Sequence, residues 1–202
     1  MAKAKSDIIL RDRLQFTLDA SADLSLVYGR IDLSDYVNVV EKRGLMVKDI
    51  YLQIRDPNNA GGGSTNTGVW SVLNGTLDPT VGSDGYNAWK FFVSTRAYES
   101  AADVGIASPD VLYIQEYVLS RFHSSAAMIV SEGYEADFPT RDYHPGGYPV
   151  VSDLLVGVAV DSNNSDTEFI DATLEIDVML IAETTTITAK QMTQLLTQAQ
   201  DL

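Results

Sequence analysis

From position 170 onward, apolar and polar side chains alternate over a dozen residues. Ile170, Ala172, Leu174, Ile176, Val178 and Leu180 share one parity, and Asp171, Thr173, Glu175, Asp177 and Met179 share the other. A period of two belongs to a strand with one buried face, whereas a helix would spread these residues around its circumference. At about 3.3 Å per residue the stretch predicts a strand of roughly 35 Å. Leu14, Phe16, Leu18 and Ala20 alternate with Arg13, Gln15, Thr17 and Asp19, and Ile50, Leu52 and Ile54 alternate with Tyr51, Gln53 and Arg55. These are two more half-buried strands. Residues 24–31 and the aromatic segment 89–98 add two strands. Residues 154–160 are almost continuously apolar, as in a strand covered on both faces. Short strands are expected at 69–73 and 126–130.

The pattern changes to helical spacing at two places. Near 34–43, Ser34 can cap, Asp35 sits in the first turn, Lys42 and Arg43 in the last, and Gly44 follows. Tyr36, Val37 and Val40 would form the buried stripe of that helix. Near 189–201, Thr188 and Gln191 form a capping box, Ile187 and Met192 a hydrophobic staple, and Met192, Leu195, Leu196, Ala199 and Leu202 an apolar stripe. Ser108-Pro109-Asp110 reads as a helix start, but the Val, Ile and Tyr content of 111–122 favours a strand. Residues 58–68, 73–86 and 138–149 are rich in Gly, Asn, Asp and Pro and read as loops. Neither a repeat nor an interdomain linker interrupts the pattern. The expected fold is all-β: one domain over 1–202, a two-sheet β-sandwich closed as a jelly roll. Residues 1–7 form an N-terminal arm and 188–202 a C-terminal helix.

Composition narrows the function. The 202 residues carry 28 acids, 20 of them Asp, against 14 bases, a net charge of −14. Such a surface repels phosphate backbones and anionic lipid, and suits solubility or a salty medium. There is no Cys, so disulfides, thiolate metal sites and a Cys nucleophile are excluded. After Lys3 and Lys5 no long apolar run follows, because Arg11, Asp12 and Arg13 interrupt, and no stretch of about 18 apolar residues exists. A protein made without a secretory signal is therefore expected.

Catalytic patterns are scarce. His123 and His144 are the only histidines; Asp142 and His144 would share a side if extended, but between prolines and glycines they read as ordinary loop residues. The serine elbow and the dinucleotide fingerprint are absent. Gly61-Gly62-Gly63-Ser64 lacks the lysine of a phosphate loop. From Asp161 to Asp166, oxygen ligands recur as in calcium loops, but Asp166 and Ala172 occupy the places that require Gly and Glu. A strand-to-strand turn is the plainer reading, with weak calcium binding near Asp161 as the alternative. No carboxylate pair stands out for glycoside cleavage. Asn74-Gly75-Thr76 and Asn163-Asn164-Ser165 match the glycosylation pattern, which matters only in a secreted chain. Trp70, Tyr86, Trp89, Tyr143 and Tyr148 could line a sugar-binding face, although Trp89, Phe91 and Val93 alternate like core residues. Tyr-rich loops also suit subunit contacts.

The order of segments carries a resemblance. An alternating strand leads into Tyr28-Gly29-Arg30-Ile31-Asp32-Leu33-Ser34-Asp35-Tyr36. Gly44-Leu45 and a strand ending Gln53-Ile54-Arg55-Asp56-Pro57 follow, then Gly/Asn-rich loops, a long strand and an amphipathic helix. In this the chain resembles the single jelly-roll major capsid proteins of icosahedral viruses of archaea and bacteria, including the internal-membrane type. The resemblance implies a capsid subunit of the virion, made in the host cytoplasm, that self-assembles into capsomers and a shell. Its partners would be copies of itself, alone or together with a second capsid protein. The basic start (Lys3, Lys5, Arg11, Arg13) reads as a solvated tail, with genome or membrane inside the shell as the alternative that the resemblance implies. Neither a cofactor nor a small-molecule substrate is expected. Tyr143, Tyr148, Met192, Leu195 and Leu196 are further candidate assembly contacts. The alternatives are another virion part such as a tail-tube or decoration protein, a carbohydrate-binding β-sandwich, and a hydrolase with scattered carboxylates.

Overall fold

A computed structural model describes residues 7–18, 24–55, 85–123, 129–162 and 173–200. These form nine strands: β1 (Ile8–Thr17), β2 (Leu24–Ile31), β3 (Arg43–Arg55), β4 (Gly85–Ser94), β5 (Val111–His123), β6 (Ile129–Phe138), β7 (Tyr148–Val150), β8 (Leu154–Ser162) and β9 (Thr173–Thr186). Two α-helices accompany them, α1 (Thr140–Tyr143) and α2 (Ala189–Gln200). One sheet has the order β1-β9-β3-β7 and the other β2-β8-β4-β5-β6, both antiparallel.

The pairing is nested. β1 pairs with β9, β2 with β8, β3 with β7, and β4 with β5, as in one long hairpin folded back at the β4–β5 connection. Rolling that hairpin adds the pairs β3–β9 and β4–β8 and separates it into two sheets. This is the double Greek key of a jelly roll, with β6 added beside β5.

Alternation explains the core. Leu174, Ile176, Val178, Leu180 and Ala182 of β9 are buried at every second position and meet Phe16, Ile50, Trp89, Phe91, Val93, Leu154, Val156, Val158 and Val160. Each large aliphatic or aromatic side chain so buried contributes roughly 1.5–3 kcal/mol. The five-stranded sheet is covered on its other face as well. There Phe92, Tyr98, Val104, Val111 and Ile114 form a second cluster with Leu26, Tyr28 and Phe138. The β4–β5 connection supplies the cover, and this accounts for the unbroken apolar run of β8. At the centre of that cluster the ring of Phe92 lies on Gly157 of the neighbouring strand, where an added Cβ would come 2.2 Å from the ring. Tyr28 meets Phe92 edge-on from the far side, with centroids 5.8 Å apart. The Tyr28 hydroxyl donates to Tyr98 O (2.9 Å) and accepts from Tyr98 N–H (2.8 Å), pinning the connection to the sheet. Arg96 lies over the Tyr98 ring and donates to Asp110, a carboxylate only 2% exposed (2.7 Å).

The segment 34–43 is not the expected helix. Leu33 O accepts from Tyr36 N–H and Val37 N–H, which makes a single turn. Asn38 and Arg43 then exchange two backbone hydrogen bonds (both 2.9 Å) around a tight turn, with Lys42 at φ 55°. Asp32, not Ser34, supplies the capping carboxylate, accepting from Ser34 N–H. The β-branched pair Val39-Val40 disfavours helix, and Arg43 is already claimed by the β3–β9 ladder. Val40, assigned to the buried stripe, is 92% exposed. The closing helix agrees with expectation: Gln191 N–H donates to Thr188 Oγ1, Thr188 N–H donates to Gln191 Oε1, and Ile187 and Met192 are buried together. Residues 111–123 form the favoured strand. The 138–149 loop contains α1 and the start of β7, and Gly147 is required there. Its φ is +84°, and a Cβ would meet Met46 and Val47 O at 2.8 and 2.9 Å.

Candidate assembly surfaces

The outer face of the four-stranded sheet is made by the residues opposite in parity to the core. Register places Ile9 beside Ile181, Arg11 and Tyr51 on either side of Met179, Arg13 and Gln53 on either side of Asp177, and Arg55 beside Glu175. A bulge at Lys48 sets the parity of the first half of β3. Ile9 is 52% and Tyr51 42% exposed, so an apolar band crosses the middle of this face.

Ion pairs flank the band at both ends. Arg13 binds Asp177 through two bonds (2.5 and 3.0 Å), with Glu175 at 3.8 Å and Arg55 at 3.7 Å from Asp177. At the other end Lys48 bridges Asp7 (2.6 Å) and Glu183 (3.3 Å). Toward β7, Arg141 of α1 donates to the buried Asp49 (2.9 Å) and to the Tyr51 hydroxyl (3.3 Å). The hydrogen bond from Arg13 holds the Asp177 carboxyl below the usual carboxylate range. The bond to Asp7, then that to Glu183, raises the Lys48 ammonium. The cations of these pairs are open to solvent, so the pairs add little to stability. A shallow trough of ≈630 Å³, lined by Arg11, Arg13, Tyr51, Gln53, Asp177 and Met179 among others, runs across the face.

The sheet edges have a different character. On β1, Asp12 shares parity with core-facing Leu10 and Leu14 and borders Val178 and Leu180, so a carboxylate points inward at one edge. On β6, Glu135 and Asp137 pair with Tyr117 and Gln115, on the face those side chains turn toward the core. Tyr113 donates to Gln115 (3.4 Å), and Gln115 donates in turn to the Tyr117 hydroxyl. Burial, reinforced by Glu135, pushes the Tyr117 hydroxyl up to about 12. Burial and then Asp137 raise Tyr113 and Tyr143 as well. Charges pointing inward at an edge strand oppose the addition of another strand.

The connection covering the five-stranded sheet leaves a trough of ≈520 Å³ over Leu26, Ala88, Val118 and Ala159. Lys90 forms its wall, donating to Ala101 O and Val104 O and pairing with Glu116.

The expected contacts are distributed unevenly. Arg11 and Arg13 lie on the exposed sheet face; Lys3 and Lys5 lie outside the described residues. Tyr148 is buried, Tyr143 half-buried, and Met192, Leu195 and Leu196 pack α2 against Val151 and Ile187 of the same chain. Of the aromatic sugar-binding candidates, Trp89 is 2% and Tyr148 6% exposed, which removes both from any ligand face. Trp70 and the Tyr86 side chain lie outside the described residues. His144 donates to Val111 O (3.1 Å) and packs against the tilted ring of Tyr143 and edge-on against Tyr148, while Asp142 points to solvent beside Arg141. Among the described residues, no cluster of three His, Asp or Glu side chains is arranged to hold a metal; residues 163–166 of the calcium-like run lie outside them. Sequence reasoning did not single out Tyr51, Ile9, Lys48 and Arg141 as candidate contacts. The alternation of 50–55 placed Tyr51 on the polar face, and an aromatic on that parity was the available signal. The sequence matches no family model and no curated protein.

Proposed function

We propose that this chain is a structural virion protein, a capsid subunit that self-assembles into capsomers and an icosahedral shell. The observation that carries the reading is the nested strand order of the jelly roll, an architecture used by viral capsid proteins. Jelly rolls also serve lectins and cupins, so fold alone is an analogy. Two features add support. The space between the sheets, which a cupin keeps for a ligand, is filled here by Phe16, Trp89, Phe91, Leu154 and the β9 aliphatics. The broad sheet face carries an apolar band and balanced charges instead of a cleft. On this reading the chain's partners are its own copies, it turns over no substrate, and its basic first residues face the shell's contents.

The test is size. Purified full-length chain, followed by light scattering and negative-stain imaging over a range of concentration and salt, is expected to form capsomers or larger closed assemblies. A monodisperse monomer under all conditions overturns the proposal. Stacked rings of one diameter would replace it with a tail-tube role.

A further inference from the structure

We infer that the outer face of the β1-β9-β3 sheet is a self-association surface that takes a second copy of this chain, same face to same face. Charge is the first argument. The chain has a net charge of −14, so two copies repel through most of their surface. On this face Arg11, Arg13, Lys48, Arg55 and Arg141 are balanced by Asp7, Asp49, Glu175, Asp177 and Glu183, with Asp142 at the rim. Among the described residues this face is therefore close to neutral, and that part of it can meet its own copy with little net repulsion. Both signs are present at each end, so cross-pairs form in either orientation of a two-fold axis.

The second argument is the apolar band. Ile9 and Tyr51 are exposed and flank the partly buried Ile181 and Met179, which gives desolvation an anchor between two polar rims. Area is the third. Strands of ten to fourteen residues, three abreast, span roughly 35 Å by 15–20 Å, about 500–700 Å² in plan, close to the ~800 Å² per partner of stable complexes. Sheet continuation is opposed at the β1 edge of one sheet by Asp12 and at the β6 edge of the other by Glu135 with Asp137. The inference deepens the assembly reading by naming one of its contacts.

The experiment is sedimentation equilibrium on the full chain and on the double variant Ile9→Glu/Tyr51→Glu, with Ile106→Glu and Tyr134→Glu as controls at equally exposed apolar positions. Wild type and controls are expected to show a two-copy species, weakened at least about thirty-fold in the double variant. Because the chain lacks Cys, Tyr51→Cys can be labelled alone. Its reaction with a thiol reagent is expected to slow as protein concentration rises, while that of Ile106→Cys does not. A double variant that keeps its unfolding midpoint and associates like wild type, or a Tyr51→Cys rate independent of concentration in an associating chain, overturns this inference and leaves assembly standing. A wild-type chain that never associates overturns both.

Discussion

Gly157→Ala tests the idea that the five-stranded sheet is sealed on its outer face by one ring lying on one glycine. Alanine in a strand should by itself help, because the unfolded chain loses less entropy, by about 0.4–1 kcal/mol. Here the new methyl meets three atoms of the Phe92 ring at 2.2, 2.5 and 2.7 Å, and ordinary contact begins near 3.4 Å. Phe92 is fully buried and cannot swing into solvent, since Tyr28 and Tyr98 both meet it edge-on. The ring must shift by about an ångström or the strands must part, an overpacking cost of about 2–3 kcal/mol. The net expectation is a loss of about 1–2.5 kcal/mol in urea-induced unfolding. Gly105→Ala, where an added Cβ meets nothing within 4 Å, should stay within about 0.5 kcal/mol of wild type. In a Phe92→Leu background, Gly157→Ala should cost at least about 1 kcal/mol less than in wild type. Equal costs in the two backgrounds, or a neutral Gly157→Ala, would refute the reasoning.

Three other outcomes follow from the geometry. Arg96→Ala leaves Asp110 buried without its guanidinium and should cost about 3 kcal/mol in urea unfolding, while Asp110→Asn should cost less because Arg96 can reach solvent; the reverse order would mean the cation, not the carboxylate, is the stranded group. Thr188→Ala removes the cap of α2 and should cost about 1 kcal/mol, visible as faster amide exchange in the first turn of the helix. Tyr117 ionises near 12 in the fold and near 10 in the unfolded chain, so its contribution is complete below about pH 10 and is lost as pH rises toward 12. With allowance for partial solvent screening, the fall is at most about 1 kcal/mol per pH unit. Tyr117→Phe should make the alkaline limb of a stability–pH curve shallower, and an unchanged limb would remove Tyr117 from it.

The strands were legible wherever one face meets the core and the other meets water, because burial then writes itself as period two. β9, β1 and the second half of β3 are of this kind. Residues 154–160 were legible for the opposite reason: both faces are covered, so every position is apolar. The helix at 34–43 misled because caps and charges are local, whereas Arg43 is held by Thr186 far along the chain. β7 and α1 hid among three prolines and two glycines. β7 has only three residues, too few for periodicity, and its identity rests on pairing with Leu45, Met46 and Val47. The neutral sheet face was half visible. Parity placed its residues outside, but the matching of Arg13 with Asp177 and of Lys48 with Asp7 and Glu183 depends on register, and a single sequence carries no register.

β9 lies between β1 and β3 and leaves the ribosome after the other eight strands. Until it emerges, β1 has no ladder partner among the described residues, and there β3 keeps only its short contact with β7. The flat charged-and-greasy plane assembled by these three strands therefore does not exist on a nascent or truncated chain. On the self-association reading proposed above, its last-made strand would keep unfinished polypeptides from engaging finished ones during synthesis.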